Sequence, residues 1–199
     1  MGDDGSITYS IGSGMSNKRF IKSTMATLSD RFDTIQFVRV SGNAEIDFNA
    51  VTNMPTGYES AIGLAQYRRD INGDPTVDLA FDLDAINAVG TSRKNSTNAR
   101  KYVILHELGH ALGLEHPFTD TDGDSITGVD GNFTRMSYDY DSTVNSRTKV
   151  KEFTLNDYGT LDAIWNEGYA STGDAPSSTQ GVKKASKLPP CFSCGCRHA

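Results

Sequence analysis

The sequence predicts a mixed α/β domain, a sheet with helices packed on it. Two observations carry that reading. Short alternating, β-branched stretches recur up to residue 81, and longer segments place apolar residues at helical spacing. Their order is strand, helix, four strands and then a long helix, which fits a sheet covered by helices.

Ile7-Thr8-Tyr9-Ser10-Ile11 alternates and reads as the first strand, and Gly12-Ser13-Gly14 turns the chain. From about Asn17 to Phe32, Phe20, Ile21, Met25, Leu28 and Phe32 fall on one helical face. Ile35 to Val40 and Ala44 to Phe48 read as short strands around Ser41-Gly42-Asn43, and Ala61 to Tyr67 and Thr76 to Phe81 as two more. A long helix is expected to begin at Ser96, Thr97 or Asn98, each able to cap it. It runs to Leu112, where Gly113 can end it with positive φ. An irregular stretch rich in Asp, Gly, Ser and Thr follows from Pro117 to about Lys149. The last helix spans Leu155 to Glu167, with Thr154 or Asn156 near its cap and Tyr158, Leu161, Ile164 and Trp165 as its apolar face. Beyond Tyr169 the chain turns to Ser, Thr, Gly, Pro and Lys. Residues 1–170 therefore read as the domain, and 171–199 as a tail without packed structure.

With 199 residues, the chain buries enough apolar surface to stand without disulfides. Its cysteines, Cys191, Cys194 and Cys196, all lie in the tail. No run approaches the roughly 18 apolar residues that span a bilayer, so no membrane partner is expected. Lys183, Lys184, Lys187 and Arg197 against Asp174 give the tail +3, leaving residues 1–170 at −9 of the total −6. So acidic a body argues against nucleic acid, whose phosphates need basic patches. Met1-Gly2-Asp3-Asp4 has neither the basic nor the apolar region of a secretory signal.

Residues 106–116 read His-Glu-Leu-Gly-His-Ala-Leu-Gly-Leu-Glu-His. On a helix, His106 and His110 stand one turn apart on one face, close enough to share a zinc ion. Glu107, rotated out of the ligand shell, can still reach a water at the metal as general base. A straight helix would carry His116 elsewhere, but a sharp turn at Gly113 swings it back. Three protein ligands leave a position open for water, the mark of a catalytic rather than a structural zinc. Chance occurrence of the full pattern is below roughly one chain in ten thousand.

With these residues the chain resembles the metzincin metallopeptidases, and among them the serralysin-like branch, including Pro117 after the third histidine. Thr134-Arg135-Met136-Ser137-Tyr138 is similar to the family's methionine turn, although Arg135 stands where a smaller or apolar residue is usual. The resemblance implies that Met136 forms an apolar floor under the zinc and that Tyr138 coordinates it reversibly and steadies the oxyanion. It also implies a twisted mixed sheet with one antiparallel edge strand, for which Ala61 to Tyr67 is the candidate. An active-site helix, an irregular lower subdomain and a closing helix would complete the domain. A protein or peptide substrate would lie along the edge strand, the protein acting as a monomer outside the cell. Glycine-rich calcium-binding repeats, common after such domains, are not seen in the sequence.

Two Asp/Gly runs have the alternating oxygens of a calcium loop: Asp120, Asp122 and Asp124 with Asp130, and, more weakly, Asp70, Asn72 and Asp74 with Asp78. Neither completes an EF-hand, and solvated turns are the alternative. Cys191, Cys194, Cys196 and His198 could hold a second metal only in a strained, crowded site. The expected function is a zinc-dependent endopeptidase. Its rival is a non-catalytic zinc- or calcium-bearing binding or assembly module, for which an intact Glu107 would have no use.

Overall fold

Ile7 and Tyr9 are buried while Ser6 and Thr8 are half-buried, the period-two pattern of a strand lying on a core. The protein was analysed as a computed structural model that describes residues 5–90, 92–118, 128–144, 149–166 and 194–197. The elements are β1 (Ser6–Ile11), α1 (Lys18–Arg31), β2 (Gln36–Arg39), β3 (Ile46–Val51), β4 (Ala61–Arg69), β5 (Pro75–Asp82), α2 (Leu83–Val89), α3 (Arg93–Ala111), α4 (Asp141–Val144), α5 (Leu155–Trp165) and β6 (Cys194–Arg197).

One sheet runs in the order β2-β1-β3-β5-β4-β6. The pairs β1 with β2, β1 with β3 and β3 with β5 are parallel, whereas β4 turns back antiparallel along β5. This is the expected mixed sheet with an antiparallel strand at the margin of the domain's own five. Val77, Leu79 and Phe81 of β5 are fully buried, as are Ile21, Met25 and Leu28 of α1 and Leu105 and Leu108 of α3. Each such side chain contributes about 1.5–3 kcal/mol relative to exposure. Phe48 and Phe81 stack across the parallel pair at 6.4 Å. Among the described residues no helix is long and apolar enough to cross a membrane.

Three elements differ from expectation. Helix α3 starts at Arg93, because Ser92 is the cap and its Oγ accepts from Asn95 N at 3.2 Å. The expected caps sit inside the helix instead: Ser96 Oγ donates to Asn87 O (3.0 Å) and Thr97 Oγ1 to Arg93 O (3.0 Å). The Thr97 bond is back-bonding to the residue four earlier, which lets a hydroxyl lie within a helix, whereas the Ser96 bond ties α3 to α2. Helix α2, too short to show a period in sequence, is capped by Asp82, whose Oδ1 accepts from Asp84 N and Ala85 N. Four residues of the tail expected to lack structure form β6 along the outer side of β4, so β4 is not the last strand of the sheet.

Candidate metal centre

Twelve residues of α3 are buried, ten of them the unbroken run Tyr102–Ala111 and the other two Asn98 and Ala99, so the C-terminal half of this helix runs through the protein interior. His106 and Glu107 are fully buried and His110 nearly so. The helix ends at Leu112 in a turn that recovers its last carbonyls: Gly113 N donates to His110 O and Leu114 N to Gly109 O, both at 2.9 Å. This is a Schellman closure, and Gly113 supplies the φ of +98° that it requires. The reversal carries His116 back over the helix, as its spacing implied.

The three Nε2 atoms form a near-equilateral triangle, with His106–His116 at 3.0 Å, His110–His116 at 3.1 Å and His106–His110 at 3.2 Å. Nitrogens held about 2.0–2.1 Å from a tetrahedral zinc are separated by about 3.3 Å, so the triangle fits. Proton placement agrees. His106 Nδ1 faces Arg135 O at 2.7 Å and His110 Nδ1 faces Leu114 O at 2.9 Å, so each must donate there. Their Nε2 lone pairs then point at one another, an arrangement that a shared cation relieves. Burial pushes His106 well below its ordinary value, His110 down to about 4 and His116 to about 3. All three are thus neutral near pH 7, as ligands must be. Among the described residues these three form a group able to hold a metal ion such as zinc.

Close approaches pack the surroundings against this helix. A Cβ at Gly109 would come within 2.5 Å of Met136 Sδ, so Gly109 makes room for the methionine under the histidines. Met136 is buried. A Cβ at Gly63 of β4 would come within 2.6 Å of Glu107 Oε1, which puts the strand backbone directly against the carboxylate. The Tyr138 ring lies 4.3 Å from His116, with its hydroxyl 3.4 Å from Nδ1, the ring nitrogen not turned to the triangle. At 38% exposure Tyr138 stands at the mouth of the site.

Several supporting residues escaped the sequence reading. Asp157 is buried and holds the methionine turn: it accepts from Arg135 N (3.0 Å), Thr134 Oγ1 (2.5 Å), Thr154 N (2.8 Å) and Thr154 Oγ1 (2.8 Å). With Thr154 it also forms the capping box of α5, the one signal that could have found it. Arg135, the family departure, spends its side chain on carbonyls, Nε donating to Glu152 O at 3.0 Å and Nη1 to Gly131 O. Tyr67 donates its hydroxyl to His110 O, and Trp165 Nε1 donates to Leu112 O at 2.9 Å.

The calcium expectations fare differently. Asp120, Asp122 and Asp124 lie outside the described residues. Asp130 closes its own turn, accepting from Asn132 N at 2.9 Å and Phe133 N at 3.2 Å. Asp70 does the same in the β4–β5 hairpin, accepting from Asn72 N (2.8 Å) and Asp74 N (2.9 Å), and the Asp74 N–H holds its carboxyl below the ordinary value. Asp78 sits within β5, paired with Arg68 at 2.9 Å. Asp70, Asn72, Asp74 and Asp78 thus build a hairpin and a cross-strand pair, and among the described residues their carboxylates do not converge on a shared point.

No protein-family model matches the chain, and neither does any curated protein. Two solved structures of myroilysin resemble it. One is 15% identical, covers 81% of this chain and 84% of its own, and has a TM-score of 0.41. The other is 13% identical, covers 80% and 92%, and has a TM-score of 0.39.

Proposed function

We propose that the protein is a zinc-dependent endopeptidase of the metzincin kind. The observation that carries this reading is the convergence of three neutral imidazoles beside a buried carboxylate on the same helix. A binding module needs the first feature and not the second. His106, His110 and His116 would hold zinc, which when bound supplies Lewis acidity toward a carbonyl and acidifies water.

The chain's own groups perform the remaining steps. Glu107 accepts the proton of the attacking water at its carboxylate and delivers it to the leaving amine nitrogen. Its burial keeps bulk water from competing for that proton. The Tyr138 hydroxyl, at the mouth of the site, is the donor available to the oxyanion. Gly63 lets a peptide laid antiparallel to β4 bring its scissile bond next to Glu107, held by main-chain hydrogen bonds. The serralysin-like branch and an extracellular setting rest on the motif and the methionine turn alone.

Zinc content by metal analysis and digestion of casein, with and without chelator, test the reading. Glu107→Ala should keep its zinc and lose activity by about 10²–10⁴-fold. Zinc-loaded wild type no more active than Glu107→Ala would end the enzyme reading.

A further inference from the structure

We infer that the segment Cys194–Arg197 occupies the peptide-binding edge of this domain and competes there with substrate. The inference rests on the peptidase reading above for what it excludes, though not for where it sits. β5 pairs with one side of β4, and β6 takes the other side, antiparallel, over Ala61 to Ala65. The register places Cys194 opposite Ala65, Gly195 opposite Leu64, Cys196 opposite Gly63 and Arg197 opposite Ala61, with an irregularity between Ala61 and Gly63.

Gly63 is the residue whose missing side chain admits Glu107. β6 is therefore centred on the part of β4 nearest the proposed base. An extended peptide hydrogen-bonded to the same N–H and C=O groups would need the same place, so segment and substrate exclude each other. Residues 167–193 tether β6 to the end of α5 and can span up to about 90 Å when extended. Because β6 belongs to the same chain as β4, its return to the edge is intramolecular and does not weaken on dilution, unlike the binding of a separate substrate. Net charge agrees: residues 171–199, which include β6, carry +3 against −9 for residues 1–170.

The test compares the full-length protein with a full-length Cys194→Pro, Gly195→Pro double variant. Adjacent strand residues point their N–H groups to opposite sides, so the pair removes a ladder donor whichever phase holds. Two readouts are needed: amide hydrogen exchange at residues 61–65, and the kinetics of a fluorogenic peptide. The variant should exchange about tenfold faster at 61–65 and show about tenfold lower KM with kcat unchanged. A synthetic peptide of residues 190–199 should restore both values. Equal exchange in the two proteins overturns the proposal. So does faster exchange with an unchanged KM, and so does protection of 61–65 that rises with protein concentration, because the strand would then come from a second copy. If neither protein cleaves any peptide, the peptidase reading falls. Exchange and its reversal by the synthetic peptide then still decide whether β6 covers β4.

Discussion

The two halves of the candidate metal site are built by different physics. His106, Glu107 and His110 lie on α3, whose Leu105 and Leu108 are buried without exposure in the apolar core beneath the sheet. Their geometry follows from helix pitch and core packing, to which many side chains contribute a little each. His116, Met136 and Tyr138 lie in irregular chain held by specific polar contacts. Tyr102 donates to Ser137 O at 2.8 Å, Ser137 Oγ to Val129 O at 2.8 Å and Asn156 Nδ2 to Phe133 O at 2.9 Å, while Asp157 gathers the turn. One half thus rests on apolar packing spread over a whole helix. The other depends on a few groups, each costly to lose.

Removing the metal should expose this contrast most strongly. A ligand that binds only the folded site stabilises by several kcal/mol at a thousandfold excess over its Kd. Chelation should therefore speed hydrogen exchange in 128–140 far more than in β1, β3 and β5. Uniform acceleration would mean that the halves form one cooperative unit. Acid should act next on the metal-free protein. Its buried histidines have folded values below the unfolded one of about 6.5, His110 at about 4 and His116 at about 3. The unfolded chain then takes up protons first, so stability is complete above about pH 6.5 and is lost as pH falls toward 4 and 3. Urea midpoints measured from pH 7 to 4 should fall accordingly, and His110→Gln should flatten the slope.

Asp157→Ala leaves several buried donors without an acceptor and should cost about 3 kcal/mol. For a domain of this size that lowers Tm by about 6–12 °C, and zinc affinity should fall with it. If Tm drops and affinity does not, the methionine turn is independent of the ligands. Met136→Leu conserves volume and should cost under about 1.5 kcal/mol, with metal content unchanged. A larger loss on calorimetry would show that the floor beneath the histidines tolerates no change of shape.

The same division governs what the sequence revealed. Periodicity exposed β1, α1, β5 and α5 because burial imposes spacing on them, and the His106–His116 segment declared its chemistry through fixed intervals. Asp157 stayed hidden. Its partners Thr134 and Arg135 stand more than twenty residues away, and no local pattern records a contact made by a fold. The run from Asp70 to Asp78 shows the converse: an aspartate beginning a turn and an aspartate binding a cation share the same local spacing. β6 escaped because a four-residue strand gains its identity from the edge it finds, and Cys194-Gly195-Cys196-Arg197 carries no strand period of its own.

Helix α5 has a temporal consequence. Trp165 grips the carbonyl of Leu112 just before the reversal at Gly113, Asp157 secures the methionine turn, and Asp162 pairs with Arg31 of α1. All three anchors lie in the last stretch of the domain to be synthesised. A nascent chain that has emerged only to residue 150 already has both helical histidines but lacks the element that fixes the third. The ribosome thus delivers β1 to β5 and the three histidines before the helix that anchors the turn after α3, so the candidate metal site sets only once α5 has emerged.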